Sequence, residues 1–516
     1  MSDRKGRAVS PEDLSGWGGP AEMSAFEAAM WLAEADPRMR SIVTGVIMLD
    51  RAPDWPRLLD RLTRLTNAVP RLRQRVMEPA FGVGLPQWVD DPEFLIDFHL
   101  RRERAPEPGD DRAVLDIAQN LAMEPLDRLR PPWAVRLVEG LSHGRAALVL
   151  KIHHVLSDGL GFVQLLDHVV SSSREGHSAL ATPPARARRS VTPIGLAASN
   201  GAQYVRRAPA GMAGALASIL ESVATLLRKP SAAQDAWGYF ASAARVLGAK
   251  STGGSRILRN RSRNWRFDII EISLPDLKAA ARGAEASLND VFLAGLIGGF
   301  RRYHDEMGVQ LEKMPIAFPI SIRKADDPAG GNFFAGAQYA APIAERDPVK
   351  RVAHVREFVR CARAEPALDV VPRLSPLLVR LPGAALGMLS AHMIGLQDAQ
   401  ISNVQGWKEP VYIGGAEVLH FWPFGPAPGC AIMIVMLSYN GCCSIGITSD
   451  VAAVTEPELL VACLREGLEE ILALAKPPAA APTAPPAPPA RRKPASPGIR
   501  RPRKRRTPHD AEHLTS

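Results

Sequence analysis

The sequence predicts an α/β protein made of two mixed-sheet halves that a helical connector joins. Helical and strand patterns alternate through roughly the first 185 residues. An Ala/Pro/Arg-rich stretch at 181–189 follows, and residues 193–250 carry helical patterns with few strand signals. A second mixed region then runs from Trp265 to Leu474.

In the first half, apolar residues recur at helical spacing in four segments and form strand-like runs in three. The predicted helices are Ser24–Glu34, Trp55–Asn67, Arg112–Ala122 and Gly161–Ser171. The predicted strands are Ser41–Leu49, Trp133–Leu141 and Ala146–Ile152.

The second half repeats this mixture of elements. It has predicted strands at Arg266–Ile272 and Pro315–Ile322, and predicted helices at Leu274–Glu285, with Ser273 as N-cap, and Leu288–Met307. Further helices precede a closing hairpin of Ala431–Tyr439 and Cys442–Thr448.

The window from Val418 to Ser449 holds no Asp, Glu, Lys or Arg, which is long enough to suggest a membrane span. It also holds three prolines, and Asn440-Gly441 lies between two apolar runs. Because both positions of such a turn need a positive φ, Asn-Gly is a strong hairpin signal. We therefore expect buried paired strands here and no spanning helix.

Length and composition set the domain prediction. At 516 residues the chain exceeds one ordinary domain, and its 46% hydrophobic content is that of a globular protein. The predicted units are a flexible N-terminus (1–22), the half that contains the two adjacent histidines (23–185), a helical connector (186–260), the second half (261–476) and a disordered Pro/Arg-rich tail (477–516).

The net charge of +9 is concentrated in that tail. Residues 477–516 hold nine Lys/Arg against Asp510 and Glu512, so residues 1–476 carry only +2. A near-neutral body argues against specific nucleic-acid binding. The tail could contact anionic lipid headgroups, and a solvated low-complexity segment without a partner is an equal alternative.

The cysteines and the N-terminus indicate the compartment. Five cysteines, with Cys442 and Cys443 adjacent, suit neither a disulfide framework nor a metal site. The first twenty residues contain no apolar core of a secretory signal. We therefore expect a reduced, cytoplasmic setting.

The chemistry is expected in the segment His153-His154-Val155-Leu156-Ser157-Asp158-Gly159. Strand alternation places His154 on the face of Leu148, Leu150 and Ile152, and His153 on the opposite face. An apolar setting keeps an imidazole neutral, as a general base must be. Asp158 could fix the tautomer or brace the loop, and Gly159 would allow a tight turn.

Two adjacent histidines are weak evidence alone, since isolated histidines are more often structural. A metal site would need a further ligand at suitable spacing, and none is near. A serine hydrolase would need a Gly-x-Ser-x-Gly elbow, which the chain lacks.

Several blocks in a fixed order carry a family resemblance. His-His-x-x-x-Asp-Gly is similar to the signature of acyltransferases with the chloramphenicol-acetyltransferase-like fold. The surrounding blocks resemble those of bacterial wax ester synthase/diacylglycerol acyltransferases: Pro70-Arg71-Leu72-Arg73-Gln74-Arg75, Pro125-Leu126-Asp127-Arg128-Leu129-Arg130-Pro131-Pro132-Trp133, Ser287-Leu288-Asn289-Asp290-Val291, Pro319-Ile320-Ser321-Ile322-Arg323 with Gly331-Asn332, and Ser402-Asn403-Val404. They span Met23 to Leu474, nearly all of the part expected to fold. Pro132 and Glu27 depart from the family pattern, and neither is expected to touch the chemistry.

The resemblance implies two chloramphenicol-acetyltransferase-like halves with an active-site channel between them. It implies acyl transfer from acyl-CoA to diacylglycerol or a long-chain alcohol, with His154 as general base and no metal or redox cofactor. His153, Asp158 and Gly159 complete the implied catalytic set. Asp158 is expected to hold the loop by pairing with an arginine, for which Arg323 is the candidate.

Four residues are predicted to contact substrate: Asn289, Asp290, Trp133 and Arg323. For Asn289 and Asp290, a purely local role at a helix N-terminus explains the residue types equally well. Trp133 is more easily explained as a core aromatic.

A water-insoluble acceptor implies contact with the inner face of a membrane or with a lipid droplet. One helical face has basic residues on both sides and could lie in the headgroup region, or could pack on the core. It comprises Met212, Leu216, Ile219, Leu220, Val223, Leu226 and Leu227.

Three alternatives stay open at this point. The first is a condensation-type acyltransferase that uses another hydroxyl acceptor or a carrier-bound thioester. The second is a lipid-binding protein that keeps the fold without turnover. The third, nucleic-acid binding by the tail, would show steep salt dependence.

Overall fold

The computed structural model describes residues 14, 16–176, 191–202, 242, 253–323, 330–367 and 370–475. The predicted tail, most of the predicted connector and the apolar face at 212–227 lie outside these residues.

The described chain forms two six-stranded mixed sheets with helices packed around them. The strands are β1 (Ile42–Leu49), β2 (Gln74–Met77), β3 (Gln87–Asp90), β4 (Leu100–Arg104), β5 (Trp133–Glu139), β6 (Ala146–His153), β7 (Trp265–Ser273), β8 (Met314–Ser321), β9 (Phe334–Ala341), β10 (Ala399–Gln405), β11 (Tyr412–Ile413), β12 (Ala416–Phe424), β13 (Ile432–Tyr439) and β14 (Cys442–Asp450). The helices are α1 (Ala25–Ala33), α2 (Trp55–Ala68), α3 (Ile96–His99), α4 (Asp111–Met123), α5 (Gly159–Leu166), α6 (Leu274–Gly283), α7 (Leu288–Glu306), α8 (Pro348–Arg363), α9 (Val370–Leu378), α10 (Gly383–Gly395) and α11 (Pro457–Leu472).

The order of the first sheet is β11-β12-β1-β6-β5-β4, and that of the second is β7-β14-β13-β10-β8-β9. The first sheet therefore takes β11 and β12 from late in the chain. After β10 in the second sheet, the chain crosses to pair β12 with β1, and it then returns for β13 and β14. The two sheets are thus joined by an exchange of strands, and no single point of the chain separates them.

Both faces of the first sheet are buried, as the apolar run of β6 requires. Leu148 and Leu150 pack on one face with Trp31 of α1. Ala147 and Val149 pack on the other face, in a cluster that includes residues of the second sheet. The predicted alternation along β6 is therefore confirmed, and the second sheet covers one of its two faces.

Most predicted elements are present within one or two residues of their expected bounds, and two predictions need correction. The helix expected at Gly161–Ser171 is shorter and earlier, because Asp158 caps it and it ends at Leu166. The hairpin expected to close the fold is followed by α11, which packs on α7. The hairpin turn itself is confirmed, since Asn440 and Gly441 have φ values of +43° and +79°.

The uncharged window from Val418 to Ser449 falls within β12, β13 and β14, as predicted. Within the described ranges, no helix combines the length and the apolar character needed to cross a bilayer.

Candidate active site

The two adjacent histidines lie at the end of β6, where residues from both sheets meet. The amide of His153 donates to the carbonyl of Pro132 at 3.0 Å, and that of His154 donates to Ser41 at 2.8 Å. A single 3₁₀ turn, His154–Leu156, then leads to α5. The end of β6 is therefore held from both sides before the chain turns.

The imidazole of His154 is oriented by Asn332, which lies just before β9 of the second sheet. Nδ1 of His154 is 2.8 Å from Oδ1 of Asn332. The amide nitrogen of Asn332 donates to the His154 carbonyl at 2.9 Å and lies 3.5 Å from Oε1 of Glu27. Because these two acceptors fix which end of the amide faces the ring, Nδ1 must carry the proton. The lone pair of Nε2 is then free to accept a proton.

The surroundings of His154 keep that ring neutral. Burial lowers the pKa of His154, and the Asn332 hydrogen bond and the nearby charge of Asp158 only partly oppose this. The ring centre lies 5.5 Å from that of Phe334, which in turn meets Phe26 edge-on. His154 is therefore a neutral imidazole at pH 7 beside an aromatic wall.

Asp158 has a positioning role in this geometry. One carboxylate oxygen caps α5 by accepting from the amide of Gly161 at 2.9 Å, and the other accepts from Arg323 at 2.9 Å. Arg323 also donates to the carbonyl of Gly330 at 3.0 Å, and the Asp158 amide donates to that of Gly331 at 3.0 Å. The expected Asp158–Arg323 pair is present, and it holds the loop that ends in Asn332.

Gly159 is needed for a different reason from the one predicted. Its φ is outside the left-handed region, so the turn itself does not require glycine. A Cβ at this position would lie 2.9 Å from the side chain of Val404 on β10. At Gly161 a Cβ would lie 2.2 Å from the hydroxyl of Ser157. Both glycines therefore allow close packing where the start of α5 meets its neighbours.

His153 is a support residue buried beneath the site, with only 1% of its surface exposed. Its Nδ1 accepts from the amide of Val155 at 3.1 Å, so Nε2 carries the proton and points to Glu34, 2.9 Å away. Burial acts to raise the pKa of Glu34, but His153, the Ser41 amide and Arg128 outweigh it and the net pKa is lowered. The carboxylate of Glu34 thus holds the imidazole of His153 away from that of His154.

The other predicted substrate-binding residues contact protein. Asp290 is 4% exposed and completes a capping box with Ser287 at the start of α7, next to the half-buried Asn289. Trp133 is also enclosed: its indole donates to the carbonyl of Leu72 at 2.8 Å and stacks on His99. A substrate contact by Asn289, Asp290 or Trp133 stays a prediction, and local packing accounts for Asp290 and Trp133.

Two residues of the site had no predicted role. Asn332 appeared only as part of a family block, and its link to His154 spans 178 positions of the chain. Glu27 was expected not to touch the chemistry; it lies 3.5 Å from the amide nitrogen of Asn332, the residue that orients the base. No local pattern connects residues so far apart, so only the fold could reveal the arrangement.

Comparison with known proteins accounts for nearly the whole described chain. Residues 23–292 match the model of the wax ester synthase/diacylglycerol acyltransferase catalytic domain, and residues 330–472 match that of the WS/DGAT C-terminal domain. A Mycobacterium tuberculosis (strain H37Rv) protein named "Putative diacyglycerol O-acyltransferase" is 37% identical over 468 residues, which cover 89% of this chain and 93% of that protein.

Two solved structures share the fold. The wax ester synthase/diacylglycerol acyltransferase from Marinobacter aquaeolei VT8 aligns with a TM-score of 0.58 at 19% identity, covering 88% of this chain and all of that one. A mutant of the starter condensation domain of rhizomide synthetase, solved in complex with C8-CoA, aligns with a TM-score of 0.55 at 16% identity, covering 88% and 94%. These likenesses confirm the predicted fold of two sheet-containing halves.

Proposed function

This chain belongs to the wax ester synthase/diacylglycerol acyltransferase family and is an acyltransferase, and on that premise we propose its donor, acceptor and base. The donor is a long-chain acyl-CoA, and the acceptor is the hydroxyl of diacylglycerol, of a long-chain alcohol, or of both. His154 is the general base. The observation that carries this proposal is the contact of Nδ1 with Asn332, which leaves Nε2 as the proton acceptor.

The proposed reaction follows from that tautomer. Nε2 of His154 takes the proton of the acceptor hydroxyl while the hydroxyl oxygen attacks the thioester carbonyl carbon. The tetrahedral intermediate collapses, the C–S bond breaks, and the leaving CoA thiolate takes the proton back from the imidazolium. The products are an ester and free CoA, and the histidine is regenerated without a metal or redox cofactor.

The free-energy contributions are of ordinary size for an enzyme. A positioned general base contributes about 10²–10⁴-fold in rate. Alignment of two bound substrates can contribute roughly 7–11 kcal/mol. Asp158 takes no part in proton transfer in this scheme, because its carboxylate is engaged by Arg323 and the Gly161 amide.

The test compares the wild type with His154→Ala, using radiolabelled palmitoyl-CoA with diacylglycerol or hexadecanol. We expect the rate to fall about 10²–10⁴-fold in the variant. His143→Ala is the matched control, since His143 is exposed on a turn, and it should keep the wild-type rate. Transfer by His154→Ala at the wild-type rate would refute the proposed base.

The same assay separates the alternatives. Transfer from a carrier-bound palmitoyl thioester but not from palmitoyl-CoA would indicate a condensation-type enzyme. Lipid binding with no turnover of any thioester would indicate a non-catalytic protein. The family membership favours CoA-dependent transfer over a carrier-bound donor, and the oriented His154 argues against a non-catalytic protein.

We further propose that the enzyme works at the surface of a membrane or lipid droplet, because its acceptors are insoluble in water. α9 and α10 support this proposal. Residues 370–396 contain Arg373 and Arg380 but no Asp or Glu, and Leu377 and Met388 are 58% and 60% exposed. An apolar helical surface with basic residues suits the headgroup region.

Flotation with phosphatidylglycerol vesicles tests this surface. Leu377→Glu with Met388→Glu should reduce vesicle binding, whereas Val349→Glu, at an exposed apolar position of α8, should not. Equal binding by all three proteins would contradict the proposal. The predicted helical face at 212–227 stays a separate prediction.

A further inference from the structure

A cleft of about 500 Å³ is lined by five arginines. We refer to it as the arginine pocket. Its arginines are Arg38, Arg40, Arg259, Arg261 and Arg263. Among the described residues, no Asp or Glu lines it, and the proposed reaction does not use it. Five guanidinium groups around one cleft give it a positive potential that favours an anion.

Arg40 of the arginine pocket lies just before β1, at the end of the first sheet where β6 finishes. β1 begins at Ile42, directly opposite His153 at the end of β6, and Arg40 stands two residues before Ile42. The residue between them, Ser41, accepts the backbone hydrogen bond from His154. Trp265, the first residue of β7 in the second sheet, also lines the pocket. Arg40 on the pocket wall is therefore one residue from Ser41, whose carbonyl accepts from the His154 backbone amide.

Protein groups neutralise only part of this positive charge. Arg38 pairs with Asp36 at 2.6 Å and Arg261 pairs with Asp398 at 3.0 Å. Counting only the part of the chain that the structure describes, five arginines and these two carboxylates leave three positive charges in excess. The excess persists even if Asp450 is counted.

Two other arginines, Arg259 and Arg263, have N–H groups available to bind an anion. Arg259 is exposed and donates to a backbone carbonyl, that of Gly253. Arg263 is exposed as well. Asp450 lies behind the pocket wall, where it accepts from Ser262.

We propose that the arginine pocket binds the phosphate groups at the nucleotide end of CoA. This rests on acyl-CoA being the donor. Guanidinium groups bind phosphate with paired, charge-assisted hydrogen bonds. A cleft of this size lies within the usual range for small-molecule sites. The flexible pantetheine arm can then carry the thioester from the pocket to His154, while the phosphates stay in the charged cleft.

The test measures transfer from palmitoyl-CoA, palmitoyl-3′-dephospho-CoA and palmitoyl-pantetheine by the full-length enzyme. The variant combines Arg259→Gln and Arg263→Gln. Both arginines are exposed, so we expect the double variant to fold like the wild type. We expect KM for palmitoyl-CoA to rise about 10- to 100-fold with kcat nearly unchanged, because phosphate contacts are lost while the base is intact. The rate with palmitoyl-pantetheine should be the same in variant and wild type.

The control is Arg64→Gln, an exposed arginine on α2 that pairs with Asp60, and it should leave all three substrates unaffected. An unchanged KM for palmitoyl-CoA in the double variant would overturn the proposal. An equal loss of rate with palmitoyl-pantetheine would also overturn it, because that substrate has neither the nucleotide nor the phosphate groups of CoA.

Calorimetry with free CoA tests the arginine pocket independently of the proposed reaction, because it measures binding without acyl transfer. If the wild type transfers no acyl group from CoA, the donor assignment fails. The pocket is then judged by CoA affinity alone, and equal affinity in wild type and double variant rejects it. A phospholipid headgroup has the same phosphate chemistry, so flotation with phosphatidylglycerol vesicles is the final arm. Lost flotation with unchanged CoA affinity would assign the pocket to lipid and overturn the proposal.

Discussion

Two histidines, His154 just after β6 and His420 on β12, are held in opposite charge states. At His154, the partner of Nδ1 is the neutral amide of Asn332, and burial lowers the pKa. At His420 on β12, Nδ1 lies 2.7 Å from the carboxylate of Glu271, and the Cys442 side chain and Glu271 raise the pKa to about 9. The comparison teaches that the surroundings set the charge of a histidine: burial beside a neutral amide keeps His154 uncharged, whereas a carboxylate partner keeps His420 protonated at pH 7.

The two histidines also join the sheets in different ways. Glu271 belongs to β7 of the second sheet and also accepts from Trp422 at 3.0 Å and from Ser444 at 3.2 Å. Its contact with His420 is therefore a charged link between the sheets. The Asn332 link to His154 spans the same two sheets without a net charge. A neutral link leaves Nε2 available, whereas a charged link keeps its histidine protonated.

The largest effect is expected when the His154 site is made to resemble the His420 site. Asn332→Asp places a carboxylate at Nδ1, next to Glu27, and should raise the pKa of His154. In the wild type, the base is neutral above its lowered pKa, so kcat/KM should fall only below about pH 6.5. In the variant, this acid limb should move to about pH 8 or above, because a carboxylate partner raises the pKa of His420 to about 9, and the rate at pH 7 should then fall at least about tenfold.

The pH profile of kcat/KM from pH 5 to 9 measures that shift. Asn120→Asp makes the same chemical change at an exposed position of α4 and should leave the profile unchanged. An acid limb that stays in place in Asn332→Asp would mean that Asn332 does not control the charge of His154.

A smaller effect is expected at Asp158, whose carboxylate contacts Arg323 and not His154. Asp158→Asn keeps a capping side chain for α5 but removes the charge that faces Arg323. The pair is only 15% exposed on each side, so its loss should lower the free energy of unfolding by about 1.5–3 kcal/mol. We expect kcat to fall about tenfold because the loop that ends in Asn332 loosens.

Urea unfolding and initial rates measure these two changes. Asp116→Asn breaks a comparable pair with Arg112 at an exposed position of α4 and should cost less than about 1 kcal/mol. A loss of rate in Asp158→Asn as large as that in His154→Ala would instead make Asp158 a catalytic carboxylate.

Local sequence patterns were sufficient for most elements of the fold and for one side of the site. Apolar periodicity located β6, and Asn440-Gly441 located the hairpin because few other residue pairs accept two positive φ values. The insertion of β11 and β12 into the first sheet could not be predicted. A strand's partner depends on packing across the whole fold, and β12 pairs with a strand more than 350 residues earlier.

The same limit explains what was missed at the site. The segment from His153 to Gly159 is continuous, so its residues could be identified together. Asn332 and Glu27 reach His154 only through the fold, over separations of 178 and 305 residues between the bonded pairs. Burial decides the charge of His154, and burial by residues from the second sheet leaves no mark in the local sequence.

The smallest effect is expected at the His420 site itself. The pKa of His420 is about 9 in the folded chain, above the ordinary value of about 6.5. The stability that this pair provides is therefore complete below pH 6.5 and is lost as pH rises through about 9. Glu271→Gln should remove that contribution, so the difference in unfolding free energy from the wild type should shrink between pH 6.5 and pH 9.5.

His420 and Glu271 are about one-third exposed, so solvent screening limits this difference to about 1 kcal/mol at most. Urea unfolding at the two pH values measures it, and Glu357→Gln, which breaks an exposed pair on α8, should show no such dependence. Acyl transfer at pH 7 should stay within about twofold of the wild type, because an imidazole that is protonated at pH 7, as His420 is, cannot accept the hydroxyl proton. If Glu271→Gln instead abolished transfer at full stability, the His420 site would belong to the reaction, and the contrast between the two histidines would no longer separate base from structural link.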